Sequence, residues 1–126
     1  MAQATIRRPT AANQNLPVAA HAAITGLTAT ILTGSGWVIA TILATLLDSS
    51  AAANQVYFRL SVDGANPDDC AIAVTVPASG RATICGRFPL KIGAGQHVIL
   101  AEGYAAVANV AFIDKQAALI IEEPGY

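Results

Sequence analysis

No charged side chain stands between Arg8 and Asp48, and the most apolar part of that gap, Ala22 to Leu47, is long enough to cross a bilayer. Such a stretch is either a membrane span or surface that a fold and its partners hide, and periodicity and punctuation separate the two. A spanning helix needs roughly 20 consecutive apolar residues. Here Thr33-Gly34-Ser35-Gly36 puts two glycines and two hydroxyls in the middle of the run. The pieces on either side are too short to cross singly, and each alternates. Leu27, Ala29 and Ile31 oppose Thr28, Thr30 and Leu32; Val38, Ala40, Ile42, Ala44 and Leu46 oppose Trp37, Ile39, Thr41, Leu43, Thr45 and Leu47. Period two with Thr, Ile and Val enrichment is strand chemistry, so the expectation is two strands joined as a hairpin through the Gly-containing turn, with no membrane partner. Met1 to Pro17 is polar and lacks the apolar core of a secretory signal.

At 126 residues the chain fits one domain that buries about two-thirds of its unfolded surface. Charged residues are 12% of it, against about 25% in an average domain. Surface so poor in charge is coated with Ala, Thr, Ser and Gly, which leaves neutral patches of the kind that meet a partner. A net charge of −1 with seven scattered cations argues against nucleic acid as a ligand. The adjacent Arg7 and Arg8 are read as a solvated arm or a contact with an acidic partner surface. Cys70 and Cys85 lie in no CxxC pattern and read as two small buried hydrophobes, a single disulfide remaining open.

Residues 1–21 show no period and read as an extended N-terminal arm, in which Pro9 and Pro17 restrict their neighbours to extended conformations. Arg7, Arg8, Pro9 and Pro17 are the partner-binding candidates of that arm. Residues 22–126 read as a single β-sandwich domain. Gln55 to Val62 is its cleanest strand, with Val56, Phe58, Leu60 and Val62 on one face and Tyr57, Arg59 and Ser61 on the other. Further strands are expected over Cys70–Val76, Arg81–Cys85, a short piece around Leu90-Lys91-Ile92, His97–Tyr104 and Lys115–Glu123; Ala105–Asp114 either continues a strand or forms a loop. About eight short strands with no capped helical stripe predict an all-β, antiparallel sandwich or jelly roll.

The inventory for catalysis is thin. His21 and His97 are the only histidines, both read as turn or surface residues, and no His-x-His, HExxH, GxSxG or P-loop spacing is present. No catalytic residue and no cofactor is expected. The loop Asp63 to Asp69 gathers three carboxylates and one Asn, so Asp63, Asp68 and Asp69 are candidate calcium ligands, although the loop lacks EF-hand register and Asp, Gly, Asn and Pro equally make a tight turn. Trp37 reads as core packing beside the first turn, while Tyr57 and Tyr104 read either as core or as platforms for a sugar ring or an interface.

Several runs carry a resemblance: the Ala/Pro/Gln arm, Thr25-Gly26-Leu27-Thr28-Ala29-Thr30, Gly34-Ser35-Gly36 before an apolar strand, Val62-Asp63-Gly64, and Gly93-Ala94-Gly95-Gln96-His97-Val98-Ile99-Leu100. Together they resemble small virion proteins of tailed bacteriophages, the capsid cement or decoration proteins and related jelly-roll modules. The resemblance implies a non-enzymatic structural protein, a homotrimer on the capsid surface that bridges subunits of the major capsid protein and resides in the host cytoplasm during assembly. The competing expectation on the same fold class is a receptor- or carbohydrate-binding head module of a phage fibre.

Overall fold

The computed structural model describes residues 4–7, 14–18, 20–34, 36–67, 70–106, 110–112 and 117–123. Among them run ten strands: β1 (Ala4–Arg7), β2 (Gln14–Asn15), β3 (Ala22–Thr33), β4 (Trp37–Asp48), β5 (Asn54–Val62), β6 (Ala71–Val76), β7 (Arg81–Lys91), β8 (Gly95–Ala105), β9 (Val110–Phe112) and β10 (Ala118–Glu122). The strands pair antiparallel in two sheets, the all-β sandwich that the alternation predicts. No helix of the described residues is long and apolar enough to cross a membrane.

The first sheet centres on β4. Along one side lies β7; along the other, β10 pairs with Ile39–Leu43 and β9 with Leu46–Asp48, and β1 and β2 lie beyond β10 and β9 respectively. The second sheet has the order β3-β8-β5-β6. Leu27, Ala29 and Ile31 of β3, Val56, Phe58 and Leu60 of β5 and Val38, Ala40, Ile42, Ala44 and Leu46 of β4 all join the core. These are the inward faces read from period two.

The expected hairpin between β3 and β4 is not one. β3 pairs with β8 in the second sheet and β4 with β7 in the first, so Thr33–Gly36 is an arch that carries the chain across the sandwich. Alternation marks which side chains are buried, and that mark is the same whether consecutive strands lie edge to edge or face to face. The connection decides. Thr33 Oγ1 accepts a bond from Gly36 N at 3.0 Å, and Gly36 O accepts from Ile92 N and Gly93 N at 2.8 and 3.3 Å. Gly36 has φ +79°, and a Cβ there would come within 2.9 Å of Gly93 C, so the arch closes directly on the β7–β8 connection. From β3 to β9 only β5–β6 stays within one sheet as a hairpin.

Two further differences follow from pairing that side-chain patterns do not record. Parts of the expected arm of residues 1–21 belong to the first sheet, since β1 and β2 pair through their backbones, and Leu16 is buried in the core. β7 is one continuous strand where the sequence reading broke it at Cys85. Gly86 is buried there against Ile72, whose Cδ1 would lie 2.7 Å from an added Cβ, and Pro89 is accommodated because, among the described strands, β7 has no partner beyond it to miss the absent N–H.

Candidate functional site

The outward face of the second sheet is where aromatic and ionic groups converge. On β5 the residues between the fully buried Val56, Phe58 and Leu60 point the other way, and these are Tyr57 and Arg59. Pairing sets Tyr57 opposite Tyr104 and Arg59 opposite Glu102 on β8. The two phenol rings stack, with centroids 4.8 Å apart and planes 23° from parallel. His21 meets Tyr104 edge-on at 4.6 Å and 89°.

Beside the rings, Arg59 Nε lies 2.7 Å from Glu102 Oε1. Asn66 Nδ2 donates to the same oxygen at 2.9 Å and to Leu60 O at 3.1 Å, which ties the β5–β6 connection to the platform. At the other end Gln55 Nε2 donates to Thr75 Oγ1 at 2.6 Å. Ala71 and Ala73 of β6 stand opposite Arg59 and Tyr57, so methyl groups, not large side chains, flank the platform on that side. Inside the sheet Gly103 makes room for the Phe58 ring, since a Cβ there would fall 2.8 Å from Phe58 Cδ1. That close fit seats the strand that carries Glu102 and Tyr104.

His21 Nδ1 is buried with no hydrogen-bond partner. Burial holds its pKa below the ordinary 6.5, the nearby Arg59 charge pushes the same way, and Glu102 partly opposes both. The imidazole is therefore neutral at neutral pH. What this face offers is a partly exposed pair of stacked rings with donors and acceptors around it, which is binding chemistry; among its groups no nucleophile sits against a base.

The sequence-predicted residues fall elsewhere. Asp63, at φ 52°, uses both carboxylate oxygens within the protein: Oδ2 lies 2.6 Å from His97 Nδ1, and Oδ1 accepts from Val98 N at 2.8 Å. Its role is to latch the β5–β6 turn onto β8. Asp68 and Asp69 lie outside the described residues, and among the described ones no three His, Cys, Asp or Glu gather for a metal. Arg7 sits on β1 opposite Leu119, and Pro17 is exposed while its carbonyl accepts from Ala105 N at 2.9 Å. Arg8 and Pro9 are outside the described residues. Cys70 is buried and Cys85 exposed, not joined in a disulfide. Trp37 is not core: it is 43% exposed, with Lys91 Nζ 5.8 Å from its ring centroid. His97, read as a surface residue, is held by Asp63 and by Gly93 O, 2.9 Å from Nε2. The platform itself was half legible, because Tyr57 and Arg59 share the outward phase of β5, whereas their partners depend on a register that the sequence does not state.

No protein-family profile and no curated protein matches the chain. Among solved structures it is similar to the CBM36-1 domain of a multidomain xylanase from the hindgut metagenome of Trinervitermes trinervoides, with 14% identity, a TM-score of 0.50 and coverage of 98% of this chain and 99% of that one. It is also similar to part of an exo-beta-1,3-galactanase from Phanerochaete chrysosporium, at 16% identity and TM-score 0.41, spanning 94% of this chain but 29% of that one. Identities this low speak for fold alone, and the first of these likenesses places the chain among β-sandwich, jelly-roll domains.

Proposed function

We propose that the protein is a non-catalytic saccharide-binding module whose platform is the outward face of β5 and β8. The observation that carries this reading is the Tyr57–Tyr104 stack flanked by Arg59, Glu102 and Asn66. A pyranose ring presents C–H groups on its flat face and hydroxyls at its rim. The aromatic pair meets the first, and a guanidinium, a carboxylate and an amide meet the second. The full-length likeness to a carbohydrate-binding module's fold supports the reading without specifying a sugar. The test is retention of the wild-type protein on a neutral glycan array and in xylan- and β-1,3-galactan-containing gels. Tyr57→Ala and Tyr104→Ala lose that retention while keeping the wild-type circular dichroism spectrum; an array with no retained glycan contradicts the reading.

The capsid-coating role, the homotrimer and the major capsid protein as partner rest on the sequence resemblance, and no feature of the platform favours them over saccharide binding. A capsid-binding assay is their own test.

A further inference from the structure

A second face of the molecule gathers cations. Of the seven Lys and Arg in a chain of net charge −1, Arg81, Arg87 and Lys91 all lie on β7. They share the exposed phase of that strand, alternating with the buried Ile84, Phe88 and Leu90. With about 3.4 Å per residue they mark a line of about 34 Å along the edge of the first sheet. None of the three pairs with a carboxylate of the described residues. The one described carboxylate on the same face, Glu122, stands opposite Ile39 on β10, two strands and about 10 Å from β7. At one end of the line, opposite Lys91, is the exposed Trp37.

We propose that this edge is a binding track for an acidic polysaccharide, a chain of sugars bearing carboxylate or sulfate groups. Guanidinium groups meet two oxygens of a carboxylate or a sulfate in paired hydrogen bonds, and Trp37, 43% exposed with Lys91 Nζ 5.8 Å from its ring centroid, adds an aromatic contact for a sugar ring. Sparse aromatics favour a glycan over a single-stranded nucleic acid. A groove that binds single-stranded nucleic acid stacks base after base on successive aromatics, and this line carries a single one, Trp37, at its end. The track lies on the sheet opposite to the Tyr57–Tyr104 platform, so it stands or falls independently of it.

The test is affinity electrophoresis of the full chain in gels carrying polygalacturonate or heparin, with a neutral xylan gel and an oligo(dT) competitor as comparisons. The expected result is retardation by at least one acidic polymer that weakens steeply toward about 0.15 M ionic strength. The Arg81→Gln/Arg87→Gln variant binds about tenfold more weakly. Trp37→Ala also weakens binding but leaves the salt dependence unchanged, and Tyr57→Ala and Tyr104→Ala bind the acidic polymer as wild type does. Both arginines are exposed edge residues, so a wild-type melting temperature checks that the double variant is folded. The proposal is overturned if neither acidic polymer retards the protein, if the arginine variant binds unchanged, or if oligo(dT) competes as well as the polysaccharide does. Loss of neutral-glycan binding alone counts against the tyrosine platform and leaves this track standing.

Discussion

Asp63 and His97 lock two turns together: the carboxylate accepts from His97 Nδ1 at 2.6 Å while its second oxygen accepts from the Val98 amide, and the other ring nitrogen, Nε2, faces Gly93 O at 2.9 Å. A neutral imidazole has only one N–H, so both ring contacts are hydrogen bonds only when the ring is protonated. The hydrogen bond to Asp63 raises the His97 pKa above the ordinary 6.5, with Gly93 adding to it; the same bond, helped by Val98, lowers that of Asp63 below 3.8.

The sign of the pH dependence follows. A raised histidine pKa contributes stability that is complete below 6.5 and fades as pH rises through the folded value; a lowered aspartate pKa contributes stability that is complete above 3.8 and fades as pH falls through its folded value. The latch is at full strength between those two ordinary values. His21 acts in the opposite sense, because its lowered pKa makes protonation below 6.5 cost stability. The difference in melting temperature between wild type and Asp63→Asn isolates the latch. It is expected to be largest near pH 5 and to shrink above pH 7; a difference independent of pH removes the protonated latch from the account.

Gly36 and Gly34 stand two residues apart in the arch yet differ in what they tolerate. Gly36→Ala places a Cβ 2.9 Å from Gly93 C at a φ of +79°, whereas a Cβ at Gly34 meets nothing within 4 Å. Denaturant unfolding should show a loss of about 1–3 kcal/mol for Gly36→Ala and a change within about 0.5 kcal/mol for Gly34→Ala. Equal effects at the two positions contradict an arch closed against the β7–β8 connection.

The charges around His21 give a spectroscopic check of the platform. Arg59→Gln removes a charge that lowers the His21 pKa, so an NMR titration should find it raised; Glu102→Gln removes the opposing charge, so it should fall further. The partly exposed Arg59–Glu102 pair as a whole contributes up to about 1 kcal/mol to stability. Shifts in the same direction for both variants show that His21 does not sit between them.

Much of the fold was legible because alternation is a direct record of burial. Val56, Phe58 and Leu60 on β5 and Val38, Ala40, Ile42, Ala44 and Leu46 on β4 face inward as the period requires. What alternation cannot carry is the identity of the neighbour: β3 and β4 look like a hairpin, and what sets them apart is pairing with β8 and β7 and the bonds from the Ile92 and Gly93 amides to Gly36 O, far apart in sequence. The same holds for the site. Tyr57 and Arg59 share a face by sequence, but Tyr104, Glu102, Asn66 and His21 join them only through the β5–β8 register and the packing of connections. Trp37 misled in the other direction, since a large aromatic beside a turn is usually core and here, at the start of β4, it lies exposed against Lys91.

Isothermal titration of a neutral oligosaccharide, chosen by array retention, into wild type and Tyr104→Ala shows whether the stacked tyrosines bind a sugar. The wild type is expected to bind and the variant to lose more than about 1 kcal/mol, the threshold that marks an interface side chain carrying binding energy, with Tyr57→Ala behaving alike and the fold intact. An affinity unchanged by removing either ring, in folded protein, contradicts that expectation.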